Sequence, residues 1–313
     1  MISVVVATKN RPEHIVSCVT SIMKSTYPQY EVIVIDQTVY PNLTLKKLSA
    51  ENKKIKYITT ERGGKALALN RGIHKARGSF FAFTDDDCVV DKNWLEEIQR
   101  FLVSHPNAMG VFGNTRPFKR PSQPDMVCPA TFDANRVTSF RSPNVLHYAH
   151  IGQGNNMAFR ASVFKKRGLF EGWLGPGSIG LVGGEDSEFI FRALARRATL
   201  MTDPKMIVYH NRWITKRQER ILQGYYTYGL TTAFGYYMPT SLHKTALSLS
   251  IRRLRERCAP EWTQMKFHAA WFLKNISYIL YEICASVAGF AVGIVFGVVH
   301  HIKKTHPFRH QQH

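Results

Sequence analysis

One stretch narrows the possible folds more than any other. From Arg77 to Asn93 (RGSFFAFTDDDCVVDKN) a short apolar run ends abruptly in three consecutive carboxylates, Asp85, Asp86 and Asp87. Phe80, Phe81, Ala82 and Phe83 leave no polar face, the pattern of a strand buried on both sides in a parallel sheet. Such sheets bind ligands beyond the carboxyl ends of their strands, which is where these acids sit. Three adjacent like charges repel, and a divalent cation held by carboxylate oxygens is the simplest partner that removes the repulsion. The residues alone leave a second reading open, a polar turn with an N-cap for a helix beginning near Asp91 or Asn93.

The first hundred residues alternate strand and helix. Ile2 to Ala7 reads as a strand, and Pro12 to Lys24 carries Ile15, Cys18, Val19 and Ile22 on one helical face. Tyr30 to Asp36 is a second strand, Ile55 to Thr59 a third, Ala66 to Ala76 a helix, and Ser79 to Thr84 the strand before the acids. This βαβ periodicity implies an α/β fold with a mostly parallel, Rossmann-like sheet, helices on both faces and a nucleotide-sized crevice at the strand ends. Asp36 ends the second strand at that edge, either as a ligand contact or as an ordinary Asx turn. The loop Glu61-Arg62-Gly63-Gly64-Lys65 puts backbone N–H groups and a lysine at a helix start, an arrangement suited to phosphate, although Lys65 also fits a solvated surface position. It is neither GxGxxG nor a Walker A loop.

The formal charge of +20 and the pI near 9.9 require a polyanionic partner, whether nucleic acid, anionic lipid or a phosphorylated substrate. The chain has no zinc-finger spacing, no aromatic RNP-like strand and no isolated basic arm, so nucleic acid is not expected. Cys18, Cys88, Cys128, Cys258 and Cys284 are scattered without CxxC pairing, which argues against a disulfide scaffold or structural zinc and fits a reducing compartment. MISVVVAT opens directly into a strand, so no cleaved signal peptide is expected.

Thr115 to His150 is rich in Pro, Arg and polar residues and reads as long loops, which on the ligand edge of an α/β sheet commonly set substrate choice. Gln153-Gly154-Asn155-Asn156 then leads into the short strand MAFR, where Asn155 or Asn156 is either part of a plain turn or a hydrogen-bonding group for a ligand hydroxyl. Six glycines between Phe170 and Gly184 deliver Glu185 and Asp186 to the start of the helix SEFIFRALARR. Acids in a first helical turn are favoured by the macrodipole alone, so these two are either structural or functional. His210 ends the apolar strand Met206 to Tyr209, a place where an isolated histidine is often structural.

Past His210 the chain becomes Arg- and Tyr-rich helix (QGYYTYG), followed by the basic run Arg252 to Arg257. Ile283 to Val299 is uncharged and largely apolar, and as a helix it would span about 25 Å, just short of the hydrocarbon thickness. Gly289, Gly293 and Gly297 fall on one face at GxxxG spacing, which allows close helix packing in a membrane. A buried core helix is the alternative. Basic flanks fit a helix lying in, or dipping into, an anionic cytoplasmic leaflet.

Five blocks in a fixed order carry a resemblance: ISVVVATKNRPEHIVSCVTSI, EVIVIDQT, GGKALALNRGIHKARGSFFAFTDDDC followed by WL, GQGNNMAFRASVF, and GGEDSEFIFRALARRATLMTDPKMIVYH. Together they reach from Ile2 to His210, and the chain resembles family 2 glycosyltransferases of the GT-A fold. The resemblance implies inverting transfer from a nucleotide-diphosphate sugar, most naturally a UDP-sugar, with the acids as a DxD-type metal motif. It implies Asp186 as catalytic base, with Glu185 the second candidate. It implies donor contacts at Ala7, Thr8, Arg11, Asp36, Lys65, Asn70, Asp85, Asp86 and Asn156. The metal would be held by Asp87 and His210, with Asp85 a further candidate. This mixed oxygen and nitrogen set leans towards Mn²⁺ over Mg²⁺.

Two departures stand out. Many relatives carry two acids where this chain has Asp36-Gln37-Thr38, and an arginine where Leu69 precedes Asn70; Lys65 is then the candidate positive charge near the diphosphate. The QxxRW element of processive synthases is missing, since Asn211-Arg212-Trp213 lacks the glutamine.

The expectation is therefore a GT-A domain over residues 1–215 and a helical region over 216–313, with a membrane-associating segment near 276–300. Its function would be cell-surface polysaccharide or glycolipid synthesis at the cytoplasmic face of the cell membrane, on a saccharide or lipid-linked acceptor, with an anionic membrane surface as partner and room for a homo-oligomer. The alternatives are a metal-dependent nucleotidyltransferase and a non-catalytic nucleotide-sugar or anionic-lipid binding protein.

Overall fold

A computed structural model of the chain describes residues 1–61, 63–119, 123, 125–145, 151–178, 183–258 and 269–305. Arg62 of the glycine loop, residues 120–122, 124 and 146–150 of the polar middle, and Gly180 lie outside them. The front of the chain is the expected alternation. Strands β1 (Ile2–Thr8), β2 (Tyr30–Asp36), β3 (Ile55–Thr59) and β4 (Phe80–Thr84) run parallel, linked by α1 (Pro12–Met23), α2 (Leu43–Glu51) and α3 (Lys65–Lys75). Then come β5 (Cys88–Val90), α4 (Trp94–Ser104), β6 (Gly110–Pro117), β7 (Met126–Val127), β8 (Ser139–Phe140), β9 (Asn156–Arg160), α5 (Ala161–Arg167), α6 (Glu185–Ala195) and β10 (Leu200–His210).

Among the described residues these strands, β7 apart, form one sheet, ordered β3-β2-β1-β4-β9-β6-β10-β5, with β8 also on β10, while β7 pairs with a later strand (Ile214–Thr215). Strand β9 is antiparallel to both neighbours, whereas β10 runs parallel to β6. The apolar runs of β1 and β2 are explained by cover on both faces. Val4 and Val6 meet Ile15, Val19, Trp94 and Ile98 of α1 and α4 on one side. Val5 and Phe83 meet Leu69 and Phe189 of α3 and α6 on the other. The polar middle, expected as loops, contributes the two short strands β7 and β8 and a 3-10 turn at Pro143–Val145.

The helical region follows as β11 (Ile214–Thr215), α7 (Lys216–Gly235), α8 (His243–Cys258) and α9 (Ala269–Thr305). It shares the core of the front half: Leu230, Phe234, Tyr237 and Leu249 belong to the same apolar cluster as Phe189 and Phe191. The glycine stripe on α9 is used for close packing, and its partner is α7. A Cβ on Gly289, Gly293 or Gly297 would lie 2.3, 2.1 or 2.3 Å from the carbonyl oxygens of Tyr228, Thr232 and Tyr236, so only glycine permits this approach.

A buried polar knot ties α6 to the helices behind it. Arg192 Nε and Nη2 donate to both oxygens of Glu188 (2.7 and 2.8 Å), Nη2 also donates to the Leu169 carbonyl, and Tyr237 Oη donates to Glu188. Removing the cation from such a pair leaves an uncompensated buried charge. Arg192→Leu should therefore cost about 3–5 kcal/mol in urea unfolding, with Glu188→Leu added to it recovering part of the loss. A loss below about 1 kcal/mol, the worth of an exposed pair, would show that the knot is not the brace it resembles.

Candidate active site

The three acids follow β4 directly, and each finds a cation from a different part of the chain. Lys65 Nζ lies 2.6 Å from Asp85 Oδ1. Arg11 Nη1 donates to both Asp86 Oδ1 (2.9 Å) and Asp87 Oδ2 (2.8 Å), and Thr8 Oγ1 donates to Asp86 Oδ2 (2.7 Å). The antiparallel pairing of β5 with β10 sets Cys88 opposite His210, which brings His210 Nε2 to 3.2 Å from Asp87 Oδ1. Burial works against the charged form of Asp87, but His210, Arg11 and Arg212 outweigh it and hold its carboxyl well below the usual range. Burial raises Asp86, and the neighbouring acids reinforce that rise against Arg11 and Thr8. For His210, burial is outweighed by Asp87 and Cys128, and the imidazole is pushed up to about 10.

Gly183 and Gly184 adopt positive φ (101° and 94°), and a Cβ at Gly184 would sit 2.4 Å from the Gly229 carbonyl oxygen of α7. This close turn delivers Glu185 and Asp186 as the first residues of α6. Neither acid is the N-cap, which is Gly184 itself. Glu185 is buried and its Oε2 has no hydrogen-bond partner. Its Oε1 lies 3.5 Å from Lys65 Nζ. Burial pushes the Glu185 carboxyl up to about 7, with Lys65 opposing and Asp186 adding to the rise. Asp186 is half-buried, and its Oδ1 accepts from the Ser187 N–H (2.7 Å) and Oγ (3.0 Å). Its Oδ2 faces Gly154, where a Cβ would come within 2.5 Å.

One cleft of about 620 Å³ joins these groups. Of the expected residues, Ala7, Thr8, Arg11, Lys65, Asp85, Asp86, Asp87, Glu185, Asp186 and His210 line it. Asp36 lines an adjoining, mostly apolar cavity of about 740 Å³ that also touches Thr8 and Arg11. It accepts from Tyr57 Oη (2.6 Å) and the Thr38 N–H (2.8 Å), the latter as an Asx turn.

Two expected donor contacts fall elsewhere. Asn70 exchanges both its amide groups with the backbone of Phe170 (2.8 and 3.0 Å) and so fastens the glycine segment to α3. Asn156 is fully buried: it accepts from Trp94 Nε1 (2.9 Å) and donates to the carbonyls of Asn114 and Met206 (2.7 and 3.0 Å). Its neighbour Asn155 lines the cleft instead. Cys128, Pro129, Arg212, Gln223 and Tyr226 also line it without having been anticipated. The position of Arg212 beside His210 is a usable signal, but nothing in the sequence marks the others.

The donor chemistry at Asp87 and His210 fits a divalent cation. Asp87 Oδ1 is a buried oxygen without an aligned hydrogen bond. His210 donates Nδ1–H to the Pro129 carbonyl (2.7 Å), which points Nε2 at Asp87 and is the arrangement that orients a ligating imidazole. The Cys88 thiol lies in the same group of three. Asp85 is not in that group and is occupied by Lys65.

Comparison with known proteins places the chain. The profile described as glycosyl transferase family 2 matches residues 3–168. The chain belongs to that family. It is 32% identical over 117 residues to Glycosyltransferase GlyG of Streptococcus pneumoniae, covering 36% of this chain and 38% of GlyG. It is 30% identical over 115 residues to Escherichia coli WfgD, named UDP-Glc:alpha-D-GlcNAc-diphosphoundecaprenol beta-1,3-glucosyltransferase, covering 36% of this chain and 45% of WfgD. The chain thus matches less than half the length of these relatives.

Solved structures agree in fold over nearly the whole chain. The mannosyltransferase PcManGT of Pyrobaculum calidifontis, in complex with GDP-Man and Mn²⁺, superposes with a TM-score of 0.59 at 16% identity, covering 97% of this chain and 88% of that one. TarS of S. aureus (residues 1–349) in complex with UDP-GlcNAc gives 0.55 at 16% identity, covering 97% and 91%. These likenesses establish the GT-A fold.

A cation bound by Asp87 and His210 must displace the His210 proton, because that imidazole is charged below about pH 10 in the metal-free protein. Mn²⁺ affinity should therefore rise about tenfold per pH unit between neutral pH and that value, with one proton released, as calorimetry in buffers of different ionisation enthalpy would show. Asp87→Ala should abolish binding. A pH-independent affinity would remove His210 from the ligand set.

Proposed function

We propose that the protein is an inverting glycosyltransferase that moves a sugar from a nucleotide-diphosphate sugar to an acceptor hydroxyl. The observation that carries this reading is that the carboxylates after β4, Lys65 and Asp186 line one cleft. Family membership supports it, as do a relative named for UDP-Glc and structural neighbours in complex with UDP-GlcNAc and GDP-Man. UDP is the favoured nucleotide, with Asp36 and the apolar cavity beside it taking the base, and Asp85 and Asp86 facing the ribose and sugar-phosphate side. The reading extends to polysaccharide or glycolipid synthesis on a saccharide or lipid-linked acceptor, at the cytoplasmic membrane face.

Each residue then has a definable task. Lys65, held between Asp85 and Glu185, is the cation closest to a diphosphate entering at the start of α3 and balances its charge as the sugar–phosphate bond breaks. When bound at Asp87 and His210, a divalent ion, Mn²⁺ rather than Mg²⁺, would supply Lewis-acid stabilisation of that same diphosphate. Asp186 keeps Oδ2 free of the Ser187 bonds and takes the proton from the acceptor hydroxyl as its oxygen attacks the anomeric carbon from the face opposite the leaving group. Glu185 is the poorer base. It is buried, and its Oε1 already faces Lys65 at 3.5 Å.

Asp186→Asn preserves the oxygen that accepts from Ser187 and so should fold as the parent does. General-base assistance is typically worth about 10²–10⁴-fold, and turnover should fall by that factor with donor affinity unchanged in a thermal-shift titration. Retained turnover would move the base to Glu185. Lost donor binding would make the glycine-acid turn a structural element.

A further inference from the structure

We propose that α9 docks the protein flat on an anionic lipid surface and does not cross the bilayer. This rests on reading the tail as membrane-associating and adds its orientation. Ile283–His301 is a helix long and apolar enough to cross a membrane by length and composition. Its two faces are not alike, however. One face is sealed against α7 along its length, from Tyr281 over Gly224 to Gly297 against the Tyr236 carbonyl. The other presents Leu280, Cys284, Val287, Ala291, Val295 and Val299, spaced three or four apart, with Val287 and Val295 each 62% exposed. That strip is about 28 Å long, carries no charge, and is larger than an isolated apolar contact needs.

Helix α7 decides the orientation. Its Gln223 and Tyr226 line the active-site cleft, and its Gly229 backs onto Gly184. On its other side Tyr228, Thr232 and Tyr236 receive the glycine stripe of α9. A spanning α9 would have to carry α7, and with it the wall of the cleft, into hydrocarbon, where unpaired polar groups are costly. Lying flat, α9 buries its strip at the lipid boundary and leaves α7 and the cleft one helix diameter above it. This is the one-sided apolar, basic-flanked pattern of an interfacial helix.

Charge selects the occupant. Residues 216–313 contain thirteen Lys and Arg against four Asp and Glu, and Arg217, Lys244 and Arg252 are exposed on the adjoining helices. Anionic headgroups complement that charge, whereas a second copy of a chain carrying +20 would be repelled.

The test uses the full chain and vesicles of phosphatidylcholine with and without phosphatidylglycerol. Nitroxide labels are placed singly through Leu280→Cys, Val287→Cys and Val295→Cys, with Cys128, Cys258 and Cys284 replaced by Ser. Equal label depth in anionic vesicles is expected, together with a loss of vesicle binding of about tenfold or more in Val287→Glu/Val295→Glu. Unchanged circular dichroism and donor thermal shift in that variant would confirm that it folds. Depths graded by about 12 Å from Val287 to Val295 would mean a spanning helix and overturn the flat orientation alone. Absence of vesicle binding would overturn the membrane reading itself. A lipid-independent dimer abolished by the double substitution would assign the strip to a second copy. Sugar transfer to a soluble acceptor, measured alongside, would show whether the catalytic reading survives either failure.

Discussion

The arrangement of the molecule depends on how it keeps three adjacent carboxylates at the end of a buried strand. Charges of one sign in a low-dielectric setting either lose their ionisation or acquire partners. Here the partners come from three distant places: Arg11 at the start of α1, Lys65 at the start of α3 and His210 at the end of β10. Each lies at the same edge of the sheet because parallel strands linked by crossover helices return every strand end to that edge. The repulsion that a metal ion would relieve is thus already met in part by protein cations. The case for a metal rests instead on a narrower feature, the buried Asp87 oxygen without an aligned donor and the imidazole turned towards it by the Pro129 carbonyl.

The same constraint explains why the helical region is not a loose appendage. Glu185 and Asp186 reach the cleft on a turn with two positive-φ glycines, Gly183 facing Tyr226 and Gly184 pressed against Gly229. Helix α7 is therefore the outer wall of the site. It is held from behind by α9 through a second set of glycine contacts and from below by the Glu188–Arg192–Tyr237 knot.

Much of this was legible in the sequence, for identifiable reasons. Uninterrupted apolar strands, helices at 3.6-residue spacing and acids at a strand end are local patterns, and β1 to β4 with their helices follow them closely. The paired glycines before Glu185 were visible as glycines, and their purpose became visible only with α7 in place. Asn156 shows the limit. Next to a turn it reads as a ligand group, yet a one-residue shift along β9 turns it into the sheet, where Trp94 and two carbonyls consume its hydrogen-bonding capacity, and Asn155 faces the cleft. Asn70 likewise spends both amide groups on Phe170. Cys128 and Pro129 arrive through contacts with His210, 82 and 81 residues further on, and Tyr226 arrives on α7; no periodic signal exists for any of them.

The two neighbouring acids of α6 show how placement separates residues that composition cannot. Both follow glycine, both sit in a first helical turn, and either is compatible with proton transfer by type. Helical geometry points consecutive side chains about 100° apart, so only one of them can face the cleft squarely. Glu185 is turned inward, under Gly175 and against Lys65, where burial brings its carboxyl up to about 7. Its Oε1 faces Lys65, which also reaches Asp85. Asp186 is turned outward against Gly154, with one oxygen fixed by Ser187 and the other unclaimed. The proposed base needs an oxygen that is held in place yet open to the cleft, and within this pair Asp186 offers that arrangement.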